Sequence, residues 1–391
     1  MKRSVAYQPV NWINGMKINK THFIAERNAT LYQQALGNTT FLNDHNYALL
    51  PMAGGKPAAR IWLSVDNANH VNIRIMSCLA ITRGGYIIDF NSDEVDVANP
   101  LSAKIPGLSI PFSQLKGKSE AFYVILSVNP YNPEPTGSAN PEEQPVRLPF
   151  LRPRYSVLLL EEEETNVNTL GEFQLAIGKV EVKDQTVLLV EHYIPASTTV
   201  NSNELLLQHH SQTEQFFGKL ELDALQILQK ILQKNQQSDI IEPVKKLCEQ
   251  VLSYISNVYG TYRQTTRYSA PIHLVAAISG LARSIKNAID IYAGTAKEEM
   301  INYFTEWCNV KQGELEDEIA DVCNYKYDHL NIHAGIQKCS EFCGLILSLF
   351  DALAALDYIG KKKETGIFVK EQLIVPEDDL QSRRRGFFLA D

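Results

Sequence analysis

Cys339 and Cys343 stand four residues apart, with His329 and His333 upstream. Side chains so spaced on one helix face can share a metal ion. Both cysteines also fall on the apolar line Ile332, Ile336, Ile346, Phe350, so buried, reduced thiols are the favoured reading. His209-His210 could ligate a metal with Glu204 or Glu214, although a layer of an oligomer or a solvated helix explains the pair as well. Trp62, Tyr86 and Tyr123 could form a flat platform for a sugar, but aromatic residues in strand cores are commoner. No G-x-x-x-x-G-K-[ST], G-x-G-x-x-G or H-E-x-x-H run is present, and Gly54-Gly55 and Gly84-Gly85 read as turn glycines. The expectation is a protein with no catalytic residues, no metal and no cofactor.

The 391 residues carry a net charge of −8, which argues against a general nucleic-acid binder. At 45% hydrophobic and 21% charged, the composition is that of an ordinary globular protein with length for two or three domains. No apolar run is long enough to span a membrane, and MKRSVAYQPVNW lacks the apolar centre of a secretory signal. The six cysteines are scattered, as reduced thiols of a cytoplasmic protein are. Cytoplasmic localisation is therefore expected.

These residues sit on two kinds of framework. Residues 1–197 read as β, with runs at Arg60–Val65, Val71–Ile81, Tyr86–Phe90, Glu120–Val128, Tyr155–Glu162, Phe173–Val182 and Thr186–His192. Partial alternation of polar and apolar residues predicts antiparallel strands in a sandwich or barrel. Seven prolines (130, 133, 135, 141, 145, 149, 153) make residues 129–153 a long surface loop, read as a candidate partner-binding arm. After Ile194-Pro195-Ala196-Ser197 the period changes to helical. Helices are expected from Ser202 or Asn203, over about 239–265, from Pro271 to Tyr292, and from about Asn331 to Tyr358, with shorter pieces at Met300–Trp307 and Leu315–Val322. A strand pair, Gly366–Val369 and Gln372–Val375, is expected between basic Lys361–Lys363 and Arg383–Arg385, which could touch acidic lipid or an acidic partner.

The first of these helices carries the strongest pattern. Leu206, His210, Thr213, Phe217, Leu220, Ala224, Ile227 and Ile231 follow steps of four and three, the 3.5-residue period of a coiled-coil seam. Leu225, Leu228 and Leu232 add a second stripe, so this helix has more than one neighbour. Periodicity fits a bundle within one chain as well as a seam between copies. The fold class expected is α+β in separate domains: an antiparallel β-sandwich shell (1–197), a helical neck bundle (198–310), and a helical C-terminal region with a short basic and aromatic tail (311–391).

The opening run from Val10 to Phe23 resembles the start of the TssK family, baseplate subunits of type VI secretion systems, whose signature is of the form W-x-x-G-M-x-L-x-P-x-H-F-Q. Trp12, Gly15, Met16, His22 and Phe23 match; Lys20 and Ile24 stand where that pattern has proline and glutamine. Arg152–Tyr155, Tyr193–Ala196, the Pro271 to Leu281 stretch with Ser279-Gly280-Leu281, and Tyr325–His329 resemble later family elements in the same order. The resemblance implies a non-enzymatic homotrimer, with a shell that attaches to the TssF–TssG wedge and a far end that docks on the membrane complex, at the inner face of the cytoplasmic membrane. It makes Trp12, Gly15, Met16, His22 and Phe23 wedge-side candidates. After Tyr358 too few residues remain for the family's C-terminal head, so the chain is expected to be a shorter form, with Arg383, Arg384, Arg385, Phe387 and Phe388 on the membrane side. The alternative is a phage-type receptor-binding or carbohydrate-binding trimer, since the shell implied by the resemblance is similar to one.

Overall fold

The computed structural model describes residues 7–360, apart from 53, 93–104, 118, 184–185, 234–237, 293, 309 and 312. The expected strand pair after Gly366 and the basic clusters Lys361–Lys363 and Arg383–Arg385 lie outside the described residues.

The chain opens with a helix that the β reading of residues 1–197 does not contain. α1 spans Lys20–Thr39 and is started by Asn19, whose side chain accepts from the Thr21 and His22 amides while His22 Nδ1 accepts from the Asn19 amide. Its inward residues are Asn28, Ala29 and Ala35, too small and polar to print an apolar stripe on the sequence.

Nine strands follow among the described residues: β1 Ala48–Leu49, β2 Ala59–Val65, β3 His70–Ile81, β4 Ile87–Asn91, β5 Gly107–Pro111, β6 Ala121–Thr136, β7 Phe150–Glu161, β8 Gln174–Lys183 and β9 Thr186–Leu189. β3 is the spine of one antiparallel sheet, pairing with β1, β2, β4 and β5; the other runs β7-β6-β8-β9. Ile73, Ile75 and Ala80 of the first sheet and Val124, Leu126 and Leu175 of the second are fully buried in one shared core. Two antiparallel sheets over one apolar layer are the expected sandwich.

The proline-dense loop expected over residues 129–153 is partly strand. β6 continues to Thr136 and β7 begins at Phe150, with Glu134 opposite Arg152 and Thr136 opposite Phe150. The register shifts between Asn129 and Glu134, so Pro130 and Pro133 lie in the irregular stretch where no ladder amide is required. A Glu134–Arg152 ion pair of 2.7 Å ties the ribbon beyond it.

The turn between β3 and β4 fastens α1 to the shell. Gly85 has φ +82 and its carbonyl accepts from Asn38 Nδ2 at 2.9 Å, while the Gly84 amide donates to Glu172 O in the turn that leads into β8. A Cβ on Gly85 would run into the Ala35 carbonyl of α1. Gly85→Ala combines left-handed backbone strain with this clash and is expected to cost about 2–5 kcal/mol, read as a lowered denaturation midpoint. Gly54→Ala, at another positive-φ glycine with open space around it, should lose far less.

Six further helices complete the described chain: α2 Glu204–Gln233, α3 Ile241–Thr265, α4 Ile272–Asp290, α5 Thr295–Cys308, α6 Glu314–Asn324 and α7 Ile332–Ala355. Asn203 caps α2, its Oδ1 accepting from the Leu205 amide at 2.8 Å. One apolar cluster runs from Ile194 through all six helices to Ile359. At the far end of α2, Lys230 donates to the carbonyls of Ala354 and Leu356 (3.1 Å to Leu356), satisfying the open C-terminus of α7.

Candidate functional site

The segment before α1 is built as a hook. A turn at Ile13–Met16 is closed by the Met16 amide on Ile13 O, and Gly15 takes φ +80 there. The Val10 amide donates to Glu26 Oε2 at 2.9 Å, pinning the incoming segment along α1. The Trp12 ring lies 6.0 Å from the His22 ring and 6.2 Å from that of Phe23. Each of the five matched residues of the opening has a place in this hook: Gly15 and Met16 make the turn, His22 closes the helix cap, and Trp12 lies near His22 and Phe23 on the outward side. That surface stays uncovered, with Trp12 45% and Phe23 62% exposed and Ile13, Ile18 and Ile24 exposed beside them. Exposed large apolar side chains so close in sequence, with Trp12 and Phe23 together in space, are of the kind found at protein interfaces.

The heptad line on α2 has a different fate. Leu206, Phe217, Leu220, Ala224 and Ile227 are fully buried and Ile231 nearly so, all within this chain's own helical core against α3 and α7. Thr213 is half-buried and hydrogen-bonds the Tyr262 side chain. His210 stacks on Tyr262 at 4.7 Å, its Nε2 lies 3.3 Å from Tyr262 O, and the Tyr262 hydroxyl donates back to His210 O. This seam is thus occupied inside one subunit, and a second copy would need another surface. One is present on the opposite side of α2, where Leu222, Leu225 and Leu232 are exposed with Gln229 between them in the same three-four spacing.

No cluster of three or more metal-ligating side chains exists among the described residues. Glu214 pairs with Arg263 at 2.7 Å, His333 stacks on His192, and His329 turns away toward the shell. Cys339 and Cys343 lie against the helical core, where burial pushes the Cys339 thiol up to about 12 and the Cys343 thiol well above its ordinary value. The three aromatic residues of the supposed sugar platform are not assembled. Trp62 lies beneath Arg74, Tyr123 is buried against Tyr193, and Tyr86 is half-buried. Among the described residues no helix is long and apolar enough to cross a membrane.

The junction between shell and helices collects two of the family-like segments. Tyr193–Ala196 passes beside β1, with the Leu49 amide donating to Ala196 O at 3.0 Å and the Thr198 amide to Leu49 O at 2.8 Å. From the other side, His329 bridges to the shell: its Nε2 lies 3.2 Å from Tyr47 O, and the Tyr327 hydroxyl donates to its Nδ1 at 2.9 Å. Those partners require the neutral ring protonated at Nε2, and burial holds its pKa down at about 4. Leu330 enters a small core with Tyr123, Ile125 and Tyr193. Sequence reasoning marked Tyr325–His329 but not its partner Tyr47, which is 282 residues away from His329. The third such segment, on α4, is packing: Ser279 Oγ donates to Val322 O at 3.2 Å, and Gly280 makes room for Tyr254.

No protein-family model and no curated protein matches the chain. Among solved structures it is similar to a crystal structure of TssK at 15% identity, covering 90% of this chain and 70% of that one, with a TM-score of 0.49. It is also similar to TssK from the EAEC type VI system in complex with a nanobody, at 12% identity and TM-score 0.45, over 83% of this chain and 97% of that one. A third is in a TssK–TssF–TssG baseplate subcomplex, at 10% identity and TM-score 0.46, over 90% and 99%. All three are structures of TssK, the family whose opening signature the Trp12–Phe23 segment of this chain resembles.

Proposed function

We propose that this chain is a non-enzymatic structural subunit of a type VI secretion baseplate, a trimeric adaptor that joins the TssF–TssG wedge to the membrane complex. The observation that carries the reading is the hook before α1. The residues that match the family's opening are the ones that build an ordered, uncovered apolar surface. Trp12 and Phe23 are its anchors toward the wedge, the partner named with TssK in one of the similar structures. Association into trimers uses the exposed Leu222, Leu225 and Leu232 face. Three hooks on one symmetric particle would turn modest individual contacts into durable attachment. As the membrane-side contacts we assign Arg383–Arg385 with Phe387 and Phe388, which lie outside the described residues, and with them a working position at the inner face of the cytoplasmic membrane.

Capture of TssF–TssG from the same genome by the full chain tests this. Wild-type protein is expected to retain the wedge, and Phe23→Asp with Trp12→Ala to lose it by about thirtyfold or more, as expected of anchor residues. A chain that is monomeric in light scattering and retains no wedge protein would sink the reading.

A further inference from the structure

The helices α2, α4 and α7 do not close completely on one another. Between them lies a pocket of about 190 Å³, open to solvent, whose apolar lining is Phe216, Leu274, Val275, Ile278 and Ile336. Cys339 and Cys343 contribute neutral sulfur, while His209, Gln212, Thr213 and Ser340 stand among its walls. Among the described residues no carboxylate, lysine or arginine lines it.

Gly344, in the middle of α7, also borders this space. Glycine inside a helix is destabilising relative to alanine, so it calls for a reason in packing or function. Two other interior glycines of α4 and α7 have one, whereas Gly260 of α3, like Gly344, faces open space. A Cβ at Gly335 would stand 2.7 Å from Tyr325 Cε1, and one at Gly280 would strike the Tyr254 ring. A Cβ at Gly344 would meet nothing within 4 Å. No neighbour in the described chain requires glycine there, and the omitted side chain keeps one side of an apolar cavity open.

We infer that the α2–α4–α7 cavity is a binding site for a small uncharged aromatic molecule carrying one hydrogen-bonding group, of the phenol or indole class, and that Gly344 admits it. The size suits one ring or a fused pair, since apolar protein cavities of about 150 Å³ take up benzene. The lining offers no formal charge to pair with an ionic ligand, which favours a neutral one. His209, Gln212, Thr213 and Ser340 supply the polar contacts that orient the ring, as in small-molecule sites generally. This inference is independent of the baseplate reading.

The full chain is titrated with indole and phenol by calorimetry, with benzoate and benzylammonium as charged counterparts. Saturable one-to-one binding of indole or phenol, with at least tenfold weaker binding of both charged probes, is expected. Gly344→Leu places a side chain in the opening and is expected to weaken binding about tenfold or more while melting no lower than wild type, since leucine is the better helix former. Gly344→Ala should lie between. No binding of either neutral ring up to its solubility overturns the inference, as does binding that Gly344→Leu leaves unchanged. A Gly344→Leu variant that alters the oligomeric state but not the titration would assign the glycine to a subunit contact, also overturning it.

Discussion

Leu220→Asp should unfold the helical region, whereas Leu222→Asp, two positions along the same helix, should leave it folded. Leu220 is fully buried in the chain's own core, while Leu222 is 65% exposed. Removing a buried leucine costs about 2–5 kcal/mol, and an unpaired carboxylate in that space adds its desolvation. The total rivals the whole stability of a typical domain, about 5–15 kcal/mol. At Leu222 the intramolecular cost should fall within about 1 kcal/mol. Helicity by circular dichroism separates the two variants, and light scattering gives the second half of the result. If copies associate through the outer leucine face, Leu222→Asp with Leu225→Asp yields folded monomers. An unchanged trimer mass would move the interface elsewhere, and a fully folded Leu220→Asp variant would contradict the packing described here.

Acid should loosen the junction through His329. The ring is buried with its pKa held down at about 4, against an unfolded value of 6.5. Above the unfolded value both states are neutral and the contribution to stability is at its maximum. As pH falls from about 6.5 to about 4 the unfolded chain takes up a proton that the folded chain does not, and about 3 kcal/mol is lost before the effect levels off. The groups facing the ring are mixed: Arg83 and His45 approach Tyr47 and His329, and Asp44 and Asp328 stand nearby. His209 and His333 also have pKa values lowered by burial and act in the same direction, so a variant is needed to isolate His329. His329→Leu should be less stable at neutral pH, because Tyr47 O loses its donor and the Tyr327 hydroxyl its acceptor, about 1–3 kcal/mol each. It should also have a shallower loss of stability toward acid than wild type. Denaturant midpoints at neutral pH and near about pH 5 measure both, and parallel acid curves would remove His329 from the account.

The sandwich was legible because its strands alternate and its turns carry glycine. Val71–Ile81 differs from β3 by one residue, and the helices after Ser202 declared themselves by three-four spacing. α1 escaped because it buries asparagine and alanine rather than a stripe of large residues, and its cap uses Asn19 and His22 instead of a serine and glutamate. The ribbon at residues 129–153 escaped because proline density was read without register, and two prolines occupy a bulge. The α2 seam shows a more general restriction. A heptad line states that a helix faces another helix, and it is silent on whether that helix belongs to the same chain. The hook residues were named from their likeness to a family opening; that they form one exposed surface depends on the Gly15 turn, which no spacing rule reveals.

The contact between Tyr47 and His329 bears on how mechanical load would pass through the molecule. The backbone leaves the shell for the helices at residues 193–203, and a lone tether of that kind lets two bodies swivel. A second strut, formed by residues so distant along the chain, removes that freedom and fixes the angle between them. A pull on the hook would then reach the bundle as torque on a rigid elbow rather than as slack taken up at a hinge.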